Sequence, residues 1–176
     1  MIHDPPPIAE ILTRLRASAS WLGQLLSLSD LPWLYQPAAD EWSLTQILCH
    51  LRDVEVEVHQ VRYEQVLNEA RPFISGVSAD EWARTRSYHK QDGAAALRAF
   101  LKSRKATLAL LEGLAAEEWE RNCRHAFLGI TTLQELVFLA LSHEEAHREQ
   151  LMKILDRAGY PLPARLTAAA KAAPSD

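Results

Sequence analysis

Four segments of this 176-residue chain carry apolar residues at intervals of three and four, and no segment alternates them convincingly. That spacing belongs to helices that each bury one stripe. The first stripe is Ile8, Ile11, Leu12, Leu15, Leu22, Leu25 and Leu26, on a helix predicted from Pro7 to Leu28. Pro5, Pro6 and Pro7 stand before or in its first turn, where proline is tolerated. The second helix is predicted from Ser43 to about Ala70, with Ser43 and Gln46 as a capping box and Ile47, Leu48, Leu51, Val54, Val58 and Val61 inside. The third follows Asp92 and runs to about Leu114, on Leu97, Phe100, Leu101, Leu108 and Leu111. The fourth opens with a second box, Thr132 and Glu135, and ends at Gly159, with Pro161 beyond it. The connection from Arg71 to about Gln91 holds a short helix from Ala79, capped by Ser78 with Glu81; the next contains Glu117-Glu118-Trp119 and a turn at Gly129. No strand pattern and no internal repeat stands out. The expected class is all-α, a four-helix bundle with long connections that permit crossovers. One domain is expected over residues 1–162, followed by a loosely ordered Ala-rich tail over 163–176.

Composition narrows the function. With 19 Lys+Arg against 23 Asp+Glu the net charge is −4, and no basic face recommends nucleic acid as a partner. No run of about 18 apolar residues suits a membrane span. Two cysteines, Cys49 and Cys123, make no disulfide framework, and the N-terminus has no apolar signal core, so a reducing, cytoplasmic setting is expected.

The sharpest local feature is His143-Glu144-Glu145-Ala146-His147. Imidazoles four residues apart on a helix project from one face and can grip one metal ion. His143 follows Leu136, Val137 and Ala140, so it points into the bundle, where unpartnered histidines would be costly. The string also matches the H-E-x-x-H of zinc proteases. No Glu or His follows Glu149 to supply a third ligand, and the strands of a protease cleft are missing. A di-iron site would need Glu-x-x-His twice, and Glu55 to His59 has the wrong spacing. Among the other histidines, His50 lies between Ile47 and Val54 on the inner stripe of the second helix. His59, nine residues on, falls about half a turn away in a regular helix. His89 and His125 fall in connections, and His3 in the terminal arm. The favoured set is His50, His143 and His147, three neutral nitrogens from two helices with positions left open for water or substrate.

Two blocks carry a family resemblance. The first is Glu41-Trp42-Ser43-Leu44 through Ile47-Leu48-Cys49-His50-Leu51, then Asp53 and Glu55. The second is His143-Glu144-Glu145-Ala146-His147-Arg148-Glu149-Gln150, followed by Gly159-Tyr160-Pro161. With Leu128 to Glu135 between them, the sequence resembles the DinB-like family of metalloenzymes, which includes thiol-dependent transferases, over roughly residues 9–161. The resemblance implies a four-helix bundle, often a homodimer, with metal ligands at His50, His143 and His147. It also implies a divalent transition metal, zinc or nickel first, with iron or manganese as alternatives, and a low-molecular-weight thiol as a candidate cosubstrate. Glu149 stands where thiol-transferase relatives often carry glycine.

Gln150 returns to nearly the face of His143 and is placed to orient a ligand or a bound water. Asp53 and Glu57 follow His50 by one and two turns, as candidate acceptors for an imidazole N–H or as a base, against the plainer reading of ion-paired acids. Cys49 points about 100° from His50 and reads as core. Trp42 and Trp119 read as packing at the bundle ends, and Arg148 as a rim residue. The expected function is metal-dependent chemistry on a small molecule, by hydrolysis or by thiol transfer. The alternative is a non-catalytic metal-binding or stress-response bundle.

Overall fold

Both capping boxes read from the sequence are formed. Ser43 and Gln46 exchange side-chain and backbone hydrogen bonds at the start of α2 (Leu44–Val54), and Thr132 and Glu135 do so at the start of α7 (Leu133–Arg157). The computed structural model describes residues 5–171, so His3 and positions 172–176 lie outside the described residues. The chain enters through α1 (Ile8–Leu25), where the Pro7 carbonyl accepts the N–H groups of Glu10 and Ile11 in place of a side-chain cap. α2 passes without a break into a π-helical stretch (Glu55–Gln60) and then α3 (Val61–Asn68). Strand β1 (Phe73–Ile74), a 3-10 turn (Ala79–Glu81), α4 (Trp82–Thr85) and a second 3-10 turn (Tyr88–Lys90) lead to α5 (Gly93–Glu112), capped by the Asp92 carboxylate on Ala95 N–H. After α6 (Ala116–Trp119), strands β2 (Asn122–His125) and β3 (Gly129–Thr132) precede α7, and α8 (Ala164–Lys171) closes the chain.

The four long helices form the bundle. α5 packs between α1 and α2, and α7 meets α1 and α2 from the other side. The first and second long helices are therefore diagonal in space, and so are the third and fourth, while α2 and α5 are direct neighbours. No described helix is long and apolar enough to cross a membrane.

Three sequence expectations are corrected. First, there are strands. β1 pairs parallel to β2, and β2 antiparallel to β3, so the two long connections are stitched into one small sheet. At two to four residues these strands are too short to show a period. Second, Ser78 forms no cap, and the segment it precedes starts as a 3-10 turn. Third, the segment expected as a loose tail from 163 contains α8. Leu166 is fully buried in the core and its carbonyl accepts the Trp21 indole N–H at 3.0 Å. Gly159 does take a left-handed conformation, φ 66°, and ends α7 as expected.

Two apolar clusters fill the bundle. One gathers Trp21, Leu22, Leu48, Leu97, Phe100 and Leu155; the other Ile11, Leu15, Tyr63, Leu111, Val137 and Leu141. Between them runs a buried polar layer with a member from each long helix. Arg104 of α5 donates to both Glu55 oxygens at 3.0 and 2.8 Å, and its other contact is the Glu144 carboxylate of α7 at 2.6 Å. Thr107 also donates to Glu55, and Ser18 of α1 sits beside Glu144. Burial raises the Glu144 pKa, against the opposing pull of Arg104.

Removing one member of such a cluster leaves uncompensated charge in the core, a cost of about 3–5 kcal/mol. Arg104→Met should therefore lower the unfolding free energy by about that amount in urea titration. Replacing Arg104, Glu55 and Glu144 together by apolar residues should recover most of it.

Candidate metal centre

α2 and α7 pack so that His50, His143 and His147 converge. The Nε2 atoms of His50 and His143 are 3.2 Å apart, and those of His143 and His147 are 3.0 Å apart. His50 and His147 are buried and His143 partly so. The His147 Nδ1 lies 2.8 Å from Gln150 Oε1. An amide oxygen only accepts, so Nδ1 carries the proton and the Nε2 lone pair faces the cluster. Gln150 thus fixes the tautomer of His147, a positioning role of the kind its register suggested.

Hydrogen bonding alone does not satisfy this group. At most one shared proton on His143 can bridge the three Nε2 atoms, and the Nδ1 atoms of His50 and His143 are buried with no partner. A cation resolves the crowding of lone pairs. Nitrogen ligands at the usual zinc distance stand about 3.3 Å apart in a tetrahedron. The observed 3.0 and 3.2 Å lie within a few tenths of that, and one ligating atom from each histidine falls within 4.8 Å of the other two. The three residues fit a single divalent ion.

Electrostatics keep the rings neutral. Burial, then the charge of His147, lowers His50 to about 4. Burial, then His147 and His50, lowers His143 to about 3. Burial also lowers His147, while Gln150 and Asp80 oppose it. Neutral imidazole is the metal-binding form. Trp42 forms the wall, its ring 5.0 Å from that of His50 and stacked at 6.1 Å on His147. The sequence placed Trp42 at a helix start and gave no sign of this role.

Two clefts meet at the histidines. One, of about 460 Å³, is lined by Trp42, Asp80, His147, Gln150, Lys153 and Arg157 among others. The other, of about 400 Å³, reaches His50 and His143 from the opposite side, past His59, Arg62 and His125. Asp80 borders both. It sits in the 3-10 turn of a connection whose sequence carries no periodic signal, and sequence reasoning passed over it.

The other expected site residues lie elsewhere. Asp53 accepts from Arg52 at 2.6 Å, Arg86 at 2.8 Å and the Tyr88 hydroxyl at 2.7 Å. Burial would raise its pKa, but these bonds prevail and lower it. Glu57 is exposed and pairs with Arg86. Neither carboxylate hydrogen-bonds a cluster imidazole, so the acceptor and base roles considered for them are corrected: they are ion-paired acids. Glu144, the H-E-x-x-H glutamate, faces Arg104 instead of the histidines, which removes the protease reading. Cys49 is buried, and burial pushes its thiol up to about 11, in keeping with a core residue. Arg148, expected at the rim, is buried.

His59 is the larger surprise. Nine residues at 100° each would set it opposite His50. The π-helical stretch absorbs about one extra residue, which brings the offset down to roughly 80°. Its ring lies 6.0 Å from that of His143. His125, placed in a connection by the sequence, is buried on β2 and lines the same cleft.

Comparison with known proteins agrees with this architecture. The DinB superfamily profile matches residues 11–151, and the chain belongs to that superfamily. Among solved structures, YfiT from Bacillus subtilis superposes with a TM-score of 0.76 at 20% identity, covering 88% of this chain and 89% of that one. YfiT is described as a probable metal-dependent hydrolase with an unusual four-helix bundle topology. The fold here is that bundle. No curated protein matches the chain.

The depressed imidazoles make a sign-definite prediction for metal-free protein. The unfolded chain takes up protons as pH falls through about 6.5, while the folded cluster refuses them until about 4 for His50 and about 3 for His143. Stability from this source is complete above pH 6.5 and declines as pH falls. Urea titrations between pH 6.5 and 5 should show the decline. In His50→Gln the slope should be shallower by up to about 1.4 kcal/mol per pH unit.

Proposed function

We propose that this member of the DinB superfamily is a metal-dependent hydrolase of a small-molecule substrate. The observation that carries the reading is the convergence of three neutral Nε2 atoms where two clefts meet, which leaves the ion reachable from both sides. YfiT, alike in fold, is described in the same terms. His50, His143 and His147 would hold a divalent transition ion, zinc or nickel first. Such an ion polarises a substrate carbonyl and lowers the pKa of a water at the same centre.

The chain's own residues supply the rest. Gln150 keeps the His147 proton on Nδ1, so that ring stays a ligand whatever moves nearby. Trp42 closes one side against solvent and holds two of the rings. Asp80 is the carboxylate at the entrance to both clefts, and its charge is felt at His143 and His147. It is positioned to take the proton from an attacking water and return it to the leaving group. Transfer of an external thiol would use the same three histidines, and the description given to YfiT is what favours hydrolysis here.

The test is elemental analysis of exhaustively dialysed wild-type protein beside His147→Ala, followed by ester, amide and phosphoester hydrolysis. The expected result is about one transition metal per chain, lost in the variant while its helical circular dichroism is retained. At least one substrate class should be turned over, with Asp80→Asn slowing turnover about 10²-fold or more. Full metal content in His147→Ala would overturn the ligand assignment. Stoichiometric metal with no hydrolysis across the panel would overturn the hydrolytic reading in favour of a non-catalytic metal-binding bundle.

A further inference from the structure

The cleft behind His143 has a composition of its own. Its walls are Val54, Val58, Leu136, Leu139 and Ala140, with Phe127 at the mouth. Phe127 comes from the β2–β3 turn and its ring lies against Gly76. A Cβ at position 76 would fall 2.3 Å from the Phe127 ring, so a side chain there would displace the ring from this seat. The two stitched connections thus form the outer rim of an open, largely apolar cleft of about 400 Å³, the size of a small-molecule site.

One permanent positive charge lines that space: the half-buried Arg62. Its guanidinium makes a single hydrogen bond within the protein, to the Ser75 carbonyl at 3.3 Å, leaving four of its five donors without a protein acceptor. It takes part in no ion pair among the described residues; seven other arginines share that, but none of them lines this cleft. Burial lowers its pKa, and the groups opposing that shift are the Tyr63 phenol and the Cys123 thiol, with no carboxylate among them. The imidazoles beside it, His59 and His125, are each pushed toward the neutral form by burial, with Arg62 contributing. Asp80, the one acid on the lining, is exposed and acts on the opposite end, at His143 and His147. Arg62 follows His59 by three residues, so it lies about one helical turn, ~5 Å, farther from the histidine centre.

We propose that this cleft binds the substrate, that the substrate has an apolar body and a terminal carboxylate, and that Arg62 reads the carboxylate while the reacting group lies at His50 and His143. The class follows from the lining. Apolar walls reward hydrocarbon, and a half-buried guanidinium without an anion rewards a planar one. That the bound molecule is a substrate rests on the hydrolytic reading above; that the cleft takes a carboxylate does not.

The experiment is calorimetric titration of metal-free protein with hexanoate and with hexanamide, its neutral counterpart. Hexanoate should bind at least about tenfold more tightly, the size of one charge-assisted pair in a partly buried site. Arg62→Met keeps the side chain's bulk, and there the preference should vanish while hexanamide affinity is unchanged. A purely structural arginine would weaken both probes together. Leu139→Trp, which fills the cleft, should abolish binding of both. Absence of saturable hexanoate binding, equal affinity for the two probes in wild type, or a preference that survives Arg62→Met would overturn the proposal. Failure to bind metal or to hydrolyse would instead overturn the reading of the centre and leave this titration as it stands.

Discussion

Thr107 of α5 is shared by two residues that a regular helix would hold apart. It donates to Glu55, and Gln60 donates to it at 3.1 Å. Five residues at 100° put positions 55 and 60 about 140° apart on an α-helix. A π-turn, hydrogen-bonded five residues apart, brings them back toward one face. The buried carboxylate of Glu55 has to stay with Arg104 and Thr107, since the alternative is an unpaired charge in the core. The π-helical stretch is the backbone's answer to that demand. Much of the site follows from it: past Gln60 the helix is rephased, His59 swings toward His143, and Arg62 turns into the cleft. From the other side, Glu144 meets the same arginine and sets the rotation of α7. With Glu144 held against Arg104, His143 and His147 face α2.

The polar layer therefore links stability to the centre. It separates the two apolar clusters, and the histidines lie on its flank. A cluster of three buried imidazoles costs stability when protons compete for it, and the depressed values at His50 and His143 express that cost. A bound cation offsets it, because an ion that binds only the folded state stabilises that state. Metal binding and folding are thus coupled through the same few side chains.

How much of this was legible in the sequence depended on whether a residue obeyed a regular period. Three of the stripes, the second as far as Val58, both capping boxes and the trio His50, His143 and His147 did, because each rests on α-helical spacing that the structure keeps; Val61, expected inside, is exposed beyond the π-helical stretch. His59 broke the rule, since the π-turn that moves it is set by a partner on α5, far away in sequence. His125 alternates with Cys123 on a four-residue strand, too short for a period and with a polar side chain facing inward. Arg148 was assigned by charge to the rim and is buried. Asp53 and Glu57 were placed correctly along the helix, but their partner Arg86 comes from a connection with no pattern to read. The family resemblance pointed to the same three histidines as the helix faces and to none of these.

The parts that escaped the sequence are also the parts that distinguish one bundle of this fold from another. The ligands are three like side chains, and their geometry admits more than one chemistry. The helices supply the inner walls of the cleft behind His143, and the two long connections stitched by the small sheet supply its outer rim, through Gly76, Asp80, His125 and Phe127. β1 pairing with β2 brings Gly76 under Phe127 and carries His125 beside Arg62. The parallel pairing is only two residues long, yet it fixes which residues of each connection meet. A bundle with the same three histidines and a different pairing at that point would present a different rim to the same centre. The helices hold the three histidines in place, and the sheet shapes the rim of the cleft behind His143.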